Sequence, residues 1–209
     1  SVPEKFKKLT PHLSGAQTDE LISFVDFAPT VLNLAGIDVP ENMHGRAIIG
    51  EDITPEREFI YASRDRMDER YDMQRAVRDK QYKYIRYYEF SKPYLQYMNT
   101  PEKGDIMKAI REAQAENSLP DASRRFVAPV KPVEELFDIE NDPYELNNLA
   151  HNPDYESVLL KMRQEHKDWS ERVYDAGLIP EPILRTWEVK YELPIYNVLR
   201  ERDIPMDVI

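Results

Sequence analysis

The chain has 209 residues, of which 28 are lysine or arginine and 39 are aspartate or glutamate, so its formal net charge is −11. This acidic balance argues against nucleic acid as a partner, because proteins bind phosphates through basic surfaces, and no apolar run approaches the roughly 20 residues of a membrane span. The sequence contains no cysteine, which excludes disulfides, thiolate zinc sites and a cysteine nucleophile.

The first predicted element is a short strand that leads into a helix. Residues 21–25 read Leu-Ile-Ser-Phe-Val, an apolar run typical of a buried strand. Asp26 predicts the N-cap of a helix, Pro29 is tolerated in its first turn, and Gly36 predicts its end. A strand followed by a helix is half of an α/β unit, and no sheet for it is evident elsewhere in the sequence.

A charged loop and a β-hairpin are predicted next. A strand over 58–62 precedes a loop over 63–72 that is dense in arginine and acidic residues. Residues 74–78 and 82–88 flank Asp79-Lys80 and alternate as the strands of a hairpin do. One face of the second strand is predicted to carry Tyr82, Tyr84, Arg86 and Tyr88, and the other Lys83, Ile85 and Tyr87.

The second half of the chain predicts two helices and one more strand. Thr100 and Pro101 predict the start of a helix that reaches about Asn117. A short strand over 134–138 follows. Residues 153–176 have the clearest helical period, with apolar residues three and four apart, and Gly177 predicts their end. The remainder, 179–209, contains Pro180, Pro182, Pro194 and Pro205, has no regular period, and is predicted to be an extended tail.

These elements predict an α+β fold. A small antiparallel sheet of four strands, 58–62, 74–78, 82–88 and 134–138, is expected to pack on the long helix. We expect three regions, with limits at 1–50, 51–178 and 179–209.

The sequence lacks the common catalytic motifs. There is no G-x-S-x-G elbow, no Walker loop, no H-E-x-x-H and no G-x-G-x-x-G. Residues 138–142 superficially resemble a calcium loop, but Pro143 and Leu149 stand where an EF-hand needs Gly and Glu. The histidines are scattered, at His12, His44, His151 and His166. We therefore predict no catalytic residue, no metal ligand and no cofactor site in this chain.

Three stretches together resemble the formylglycine-dependent sulfatases. Residues 19–37, followed by Met43-His44-Gly45-Arg46, resemble the family block "VDLAPTLLDLAGI…P…MQGRSL". Residues 75–85 (RAVRDKQYKYI) resemble the hairpin "RAVRTDRYKYI", and residues 135–150 (ELFDIENDPYELNNLA) resemble "ELYDLENDPxExxNLA". The order and spacing agree over about residues 19–176. The loop over 64–72 resembles the heparan N-sulfatase-like branch.

The resemblance implies that the chain is the C-terminal part of an alkaline-phosphatase-like enzyme. Residues 1–50 would be the last strand and helix of the large α/β domain, and 51–178 the sulfatase C-terminal subdomain. The family carries a C/S-x-P-x-R motif that becomes formylglycine, and acidic residues that hold Ca²⁺, upstream of this region. Because these motifs are absent from this sequence, formylglycine and Ca²⁺ are expected in the missing N-terminal part. This chain alone is expected to be inactive.

The resemblance also implies that this region walls the substrate pocket. Guanidinium groups suit sulfated sugars, because they bind anionic oxygens through paired hydrogen bonds. The substrate-binding candidates are Arg64, Asp65, Arg66 and Arg70 in the charged loop, and His44 in an earlier loop. The alternative interpretation of the charged loop is a solvated segment held by internal salt bridges.

The resemblance implies a non-catalytic part of a sulfatase that hydrolyses sulfate esters or N-sulfates of sulfated sugars such as glycosaminoglycans. Two alternatives stay open: a fragment of a phosphonate or phosphate monoester hydrolase of the same superfamily, and a stand-alone carbohydrate-binding or interaction module. The expected partners are the missing catalytic portion and an anionic sulfated saccharide, with self-association possible through 19–37. The parent protein is expected to be periplasmic or secreted, although the amino terminus lacks the apolar core of a signal peptide.

Overall fold

The computed structural model describes residues 3–10 and 15–201. Pro11, Pro205 and His12 lie outside these residues. The chain forms two compact units: one comprises the residues up to Tyr61 together with Arg78–Tyr82, and the other comprises Ala62–Val77 and the residues from Lys83 onward. Among the described residues, no helix has both the length and the apolar character that crossing a membrane requires.

The first unit contains helix α1 (Phe27–Leu34), preceded by a 3-10 turn at Phe24–Asp26. The helix begins after Asp26 as predicted, but the Asp26 carboxylate does not cap it. It is fully buried and accepts the N–H groups of Ser23 and Arg46, at 2.8 and 2.9 Å. Gly36 follows the helix with φ +70°, a left-handed conformation that glycine adopts without steric cost.

The inward side of α1 is polar, which is unusual for a surface helix. Its buried residues are Pro29, Thr30 and Asn33. The side-chain amide of Asn33 donates to the carbonyls of Ile49 and Asp52, at 3.0 and 3.1 Å. Hydrogen bonds therefore attach α1 to the loop that follows it.

Residues 21–25 do not form the predicted strand. The chain turns at Phe24–Asp26, and Phe24 is 83% exposed. The bond from Ser23 N–H to the Asp26 carboxylate closes this turn. A strand needs a neighbour for its backbone donors and acceptors, and the four strands of the sheet all lie later in the chain.

The antiparallel sheet has the order β1-β2-β3-β4, which confirms the predicted α+β fold. Its strands are β1 (Ile60–Met67), β2 (Arg70–Arg78), β3 (Tyr82–Tyr87) and β4 (Glu134–Asp138). The predicted charged loop over 63–72 is instead the hairpin between β1 and β2, which turns at Asp68 with φ +47°. The prediction was wrong because Asp72, within that segment, is a buried strand residue and not a loop residue.

The two faces of β3 separate as predicted. Tyr84 donates to Glu134 at 3.0 Å on one face, and Tyr87 donates to Glu135 at 2.6 Å on the other. Helix α4 (Glu156–Val173) lies on the Tyr84 face, where Arg163 Nε donates to Glu134 at 2.8 Å. The predicted packing of the sheet on the long helix is confirmed.

Helix α4 follows a 3-10 turn at Pro153–Tyr155, and Asn152 caps that turn by accepting the Asp154 N–H at 3.0 Å. Leu159 and Met162 are the buried side chains of the helix. The helix ends at Val173, three residues before the predicted end at 176, and its C-cap residue Tyr174 has φ +55°.

The chain between β3 and β4 contains a 3-10 turn at Pro101–Lys103, helix α2 (Asp105–Ala115) and the short helix α3 (Asp121–Arg124). The turn and α2 together confirm the helix predicted there. Tyr94 and Phe126 from this segment stack edge to face, with ring centroids 6.2 Å apart.

The predicted extended tail is wrong for the described residues. Residues 181–201 contain helices α5 (Glu181–Tyr191) and α6 (Ile195–Glu201). Pro180, Pro182 and Pro194 stand just before these helices or in their first turn, where the missing N–H would have no intrahelical acceptor. These prolines therefore begin helices, although the sequence analysis treated them as breaks.

Candidate functional site

A buried arginine on β2 anchors the segment that follows α4. Arg75 is 1% exposed. Its Nε and Nη2 donate to the two carboxylate oxygens of Asp175, at 2.6 and 2.9 Å. Nη2 also lies 2.7 Å from Oδ1 of Asp65 on β1. Asp175 in turn accepts the N–H of Gly177 at 3.0 Å, so this bidentate pair fixes the end of α4 against the hairpin.

The oppositely charged groups of this anchor stabilise each other's ionised forms. Burial disfavours the charged form of Arg75, but Asp175 and Asp65 outweigh burial and raise its pKa. Burial also opposes ionisation of Asp175, yet the hydrogen bonds and charge of Arg75 hold the pKa of that carboxyl below its usual range. Asp175 and Arg75 therefore stay charged at neutral pH.

An open groove of about 810 Å³ lies beside the anchor. The β1–β2 hairpin contributes Asp65, Arg66, Tyr71 and Met73 to it, and α5 contributes Leu184, Arg185 and Glu188. Between these walls the lining is mainly apolar and includes Leu178 and Ile179. The volume falls within the range typical of small-molecule sites, and so does the combination of apolar lining with a few polar groups.

Most charges that line the groove are neutralised by a neighbour. Asp65 pairs with Arg75, Glu89 with Lys92 at 2.8 Å, and Arg185 with Glu188 at 2.9 Å. The exception is Arg66, whose guanidinium lies over the ring of Tyr71, 5.7 Å from its centroid. Among the residues that the structure describes, no carboxylate pairs with Arg66.

The predicted substrate-binding residues occupy different surroundings. Asp65 and Arg66 both line the groove. Arg64 lies 3.5 Å from Asp72 in an ion pair, and Arg70 donates through Nε to the carbonyl of Tyr97. His44 belongs to the first unit, where it is exposed. The structure therefore brings only Asp65 and Arg66 together at the groove.

Sequence reasoning missed the α5 side of the groove. Arg185 and Glu188 fell within the segment predicted to be an extended tail. Ile183, Leu184 and Trp187 have the three-and-four spacing of a helix, and this signal after Pro182 could have revealed α5.

A second polar cluster lies on the face of the sheet opposite to Arg75, and its role is structural. The side chain of Lys131 is completely buried and pairs with Asp72. Its Nζ lies over the rings of Tyr87 and Tyr94, 5.6 and 5.8 Å from their centroids. Both tyrosines donate to Glu135, at 2.6 and 2.7 Å. Each carboxylate in the cluster thus has donors that offset its burial.

The residues described by the structure include no group of three or more histidine, aspartate or glutamate side chains that could hold a metal ion.

Comparison with known proteins decides the family. Residues 7–121, more than half of the chain, match the family model described as N-sulphoglucosamine sulphohydrolase, C-terminal. The chain belongs to this sulfatase C-terminal family. Membership confirms the resemblance to sulfatases.

Two curated relatives are described as ulvan-active sulfatases, both from Formosa agariphila. One is 39% identical over 189 residues, which cover 88% of this chain and 32% of the relative. The other is 31% identical over 181 residues, which cover 81% of this chain and 33% of the relative. The chain thus spans about a third of the length of these relatives.

A solved structure of a 2-O GAG sulfatase shares the fold. It aligns with a TM-score of 0.52 and 24% identity over 77% of this chain and 27% of the other. At this identity the likeness concerns the fold alone.

Proposed function

We propose that the complete protein is a sulfatase that releases sulfate from a sulfated polysaccharide, and that this chain is its C-terminal, non-catalytic portion. The observation that carries the proposal is the 39% identity to an ulvan-active sulfatase over 88% of the chain. Sulfate esters and N-sulfates both fit, since the family itself is described as acting on N-sulphoglucosamine.

The chemistry is assigned to another part of the protein. The C/S-x-P-x-R motif does not occur in this sequence, and the described residues offer no metal-ligand group. Formylglycine as the nucleophile, and Ca²⁺ as the ion that balances the charge of the sulfate, are proposed for that other part. The role of this chain is to complete the fold and to bind the saccharide. We place the parent protein in the periplasm or outside the cell, with no nucleic-acid or membrane partner.

The apolar side of α1 supports docking on the catalytic portion. Phe24, Phe27 and Val31 are 83%, 51% and 64% exposed, whereas the inward side of the helix is polar. A surface of this kind normally meets another protein surface. About two thirds of each curated relative lies outside the stretch matched here. We propose that the rest of the sulfatase covers this side and that self-association through 19–37 occurs only without it.

The assignment is tested by expressing the complete reading frame that encodes this chain. We expect release of inorganic sulfate from ulvan or from heparan sulfate, and no release by the 209-residue chain alone. Phosphate and phosphonate monoesters are assayed in parallel. Preferential turnover of either would replace the sulfatase by a phosphohydrolase. Binding of the saccharides without turnover of any substrate would favour a carbohydrate-binding module.

A further inference from the structure

We propose that the groove between the β1–β2 hairpin and α5 is a saccharide subsite in which Arg66 binds an anionic group of one sugar residue and Tyr71 packs against that sugar. The proposal deepens the proposed function, on which it rests for the class of ligand. The proposal assigns a saccharide-binding site to this chain, and α5 forms one wall of that site.

The groove has the chemistry of a sugar site. Pyranose rings have an apolar face of C–H groups and an edge of hydroxyls. Tyr71 is 46% exposed and lines the groove, so its ring offers an apolar surface to such a face. The carboxylates of Glu89 and Glu188, at the groove walls, can accept hydrogen bonds from hydroxyls.

The positive charge of Arg66 favours a sugar that carries an anionic group. The acidic residues of the groove are neutralised by Arg75, Lys92 and Arg185. Arg66 alone among the described charged lining residues lacks an opposite charge, so its guanidinium can bind a sulfate or carboxylate without breaking an existing pair. Its position over Tyr71 holds the planar donor next to the surface on which the sugar would lie.

The anchor makes the groove rigid. Asp65 and Gly177 both line it, and each is tied to the Arg75–Asp175 pair. The hairpin and the turn that leads into α5 are therefore fixed to each other before any ligand arrives, which reduces the ordering cost of binding.

The test measures binding of ulvan oligosaccharides to the 209-residue chain by calorimetry at low salt. We expect Arg66→Gln to weaken binding about tenfold, equivalent to about 1.4 kcal/mol, and Tyr71→Leu to weaken it by a smaller factor. Arg78→Gln is the matched control, because Arg78 is an exposed arginine on β2, the strand that neighbours that of Arg66, and lies outside the groove. It should change the affinity less than twofold.

Chemical modification of the oligosaccharide identifies the anion. Loss of affinity after desulfation assigns sulfate to Arg66, and loss after reduction of the carboxyl groups assigns a uronate. If neither treatment matters, or if Arg66→Gln binds as the unchanged chain does, the subsite is wrong. These outcomes are independent of sulfate release by the complete protein, whose failure would overturn the enzymatic assignment and leave the binding result intact.

Discussion

Arg75 and its two carboxylates show how burial decides the energetic weight of an ion pair. The side chain of Asp175 is 11% exposed and that of Asp65 is 48% exposed, yet both contact the same guanidinium. Exposed pairs contribute about 0–1 kcal/mol, whereas removing one partner of a buried pair costs about 3–5 kcal/mol. The two aspartates therefore provide an internal comparison.

We expect Asp175→Asn to lower the free energy of unfolding by about 3–5 kcal/mol, because Arg75 would keep a buried charge with only a partly exposed partner. Asparagine still offers Oδ1 to the Gly177 N–H, so the loss reports the charge. Asp65→Asn is the control, with an expected loss below about 1 kcal/mol. Urea titration of both variants checks this. Equal losses would show that Asp65 contributes as much to the anchor as Asp175 does, despite its exposure.

His166 predicts a pH dependence of stability. Its Nε2 lies 3.3 Å from the Tyr88 hydroxyl, and its ring centroid lies 6.0 Å from that of Tyr84. Burial lowers its pKa below 6.5; Asp175 opposes this, and the charges of Arg86 and Arg75 add to it. Between the folded pKa and 6.5 the unfolded chain binds more protons, so stability must fall as the pH drops through this window.

Urea midpoints measured from about pH 7.5 down to about pH 5 test this dependence. His166→Gln should flatten the decline below pH 6.5, because the residue that takes up the proton on unfolding is gone. His151→Gln, at an exposed position, should leave the decline in place. A decline that persists unchanged in His166→Gln would assign the pH dependence to other groups.

At the scale of elements, the long helix contributes to the core through few side chains. Met162 on α4 is fully buried, whereas Leu160 on the same helix is 53% exposed. A buried methionine replaced by alanine loses its transfer free energy and leaves a cavity. We expect Met162→Ala to cost about 2–5 kcal/mol and Leu160→Ala to stay within about 0.5 kcal/mol. Denaturant titration of the two variants compares them directly, and a similar loss in both would place the core elsewhere on the helix.

The elements that sequence reasoning found are those whose pattern reflects burial directly. The alternation in β3 and the helical period after Pro153 predicted the sheet face and α4, because apolar and aromatic side chains there do face the core. The ends of β1 and β2 nearest their turn were predicted as a loop, because Asp72 is an inward position with a charged side chain. Arg75 lies in the strand that was predicted, but its burial was not foreseen. The ion partners that permit the burial of both residues come from distant parts of the chain. No local pattern reveals Lys131 or Asp175 as those partners.

The candidate site was predictable in part for the same reason. Arg66 and Asp65 could be named from the charged segment, since guanidinium groups suit anionic sugars. Their neighbour Arg185 could not, because the prolines around α5 were interpreted as breaks. Which arginine is available to bind an anion also depends on the ion pair of Arg64 with Asp72 and on the hydrogen bond of Arg70 to the Tyr97 carbonyl, which the sequence does not show.

At the scale of the whole molecule, the apolar run over 21–37 allows two interpretations, and the sequence pattern cannot decide between them. The same residues would suit a buried strand and helix or a surface that meets another part of the protein. In the structure Leu21 is buried, but most of the other apolar side chains of the run are exposed, and hydrogen bonds of Asn33 and Asp26 hold the inward side. The run therefore stabilises a folded state only when something covers it.

Substitutions on the exposed apolar side of α1 and the turn before it test whether this surface docks on another part of the protein or has no partner. In the 209-residue chain, Phe24→Ser with Val31→Ser should change the free energy of unfolding by less than about 1 kcal/mol, since both side chains are already exposed and surface changes stay near ±0.5 kcal/mol each. In the product of the complete reading frame, the same pair should lower stability by several kcal/mol, because each buried side chain of this size contributes about 1.5–3 kcal/mol. The control is Ile106→Ser on α2, at a position 78% exposed, which should be neutral in both proteins.

Differential scanning calorimetry of the four variant proteins and their parents gives the comparison. An equally small effect in the complete protein would mean that α1 stays uncovered there and that the proposed docking is wrong.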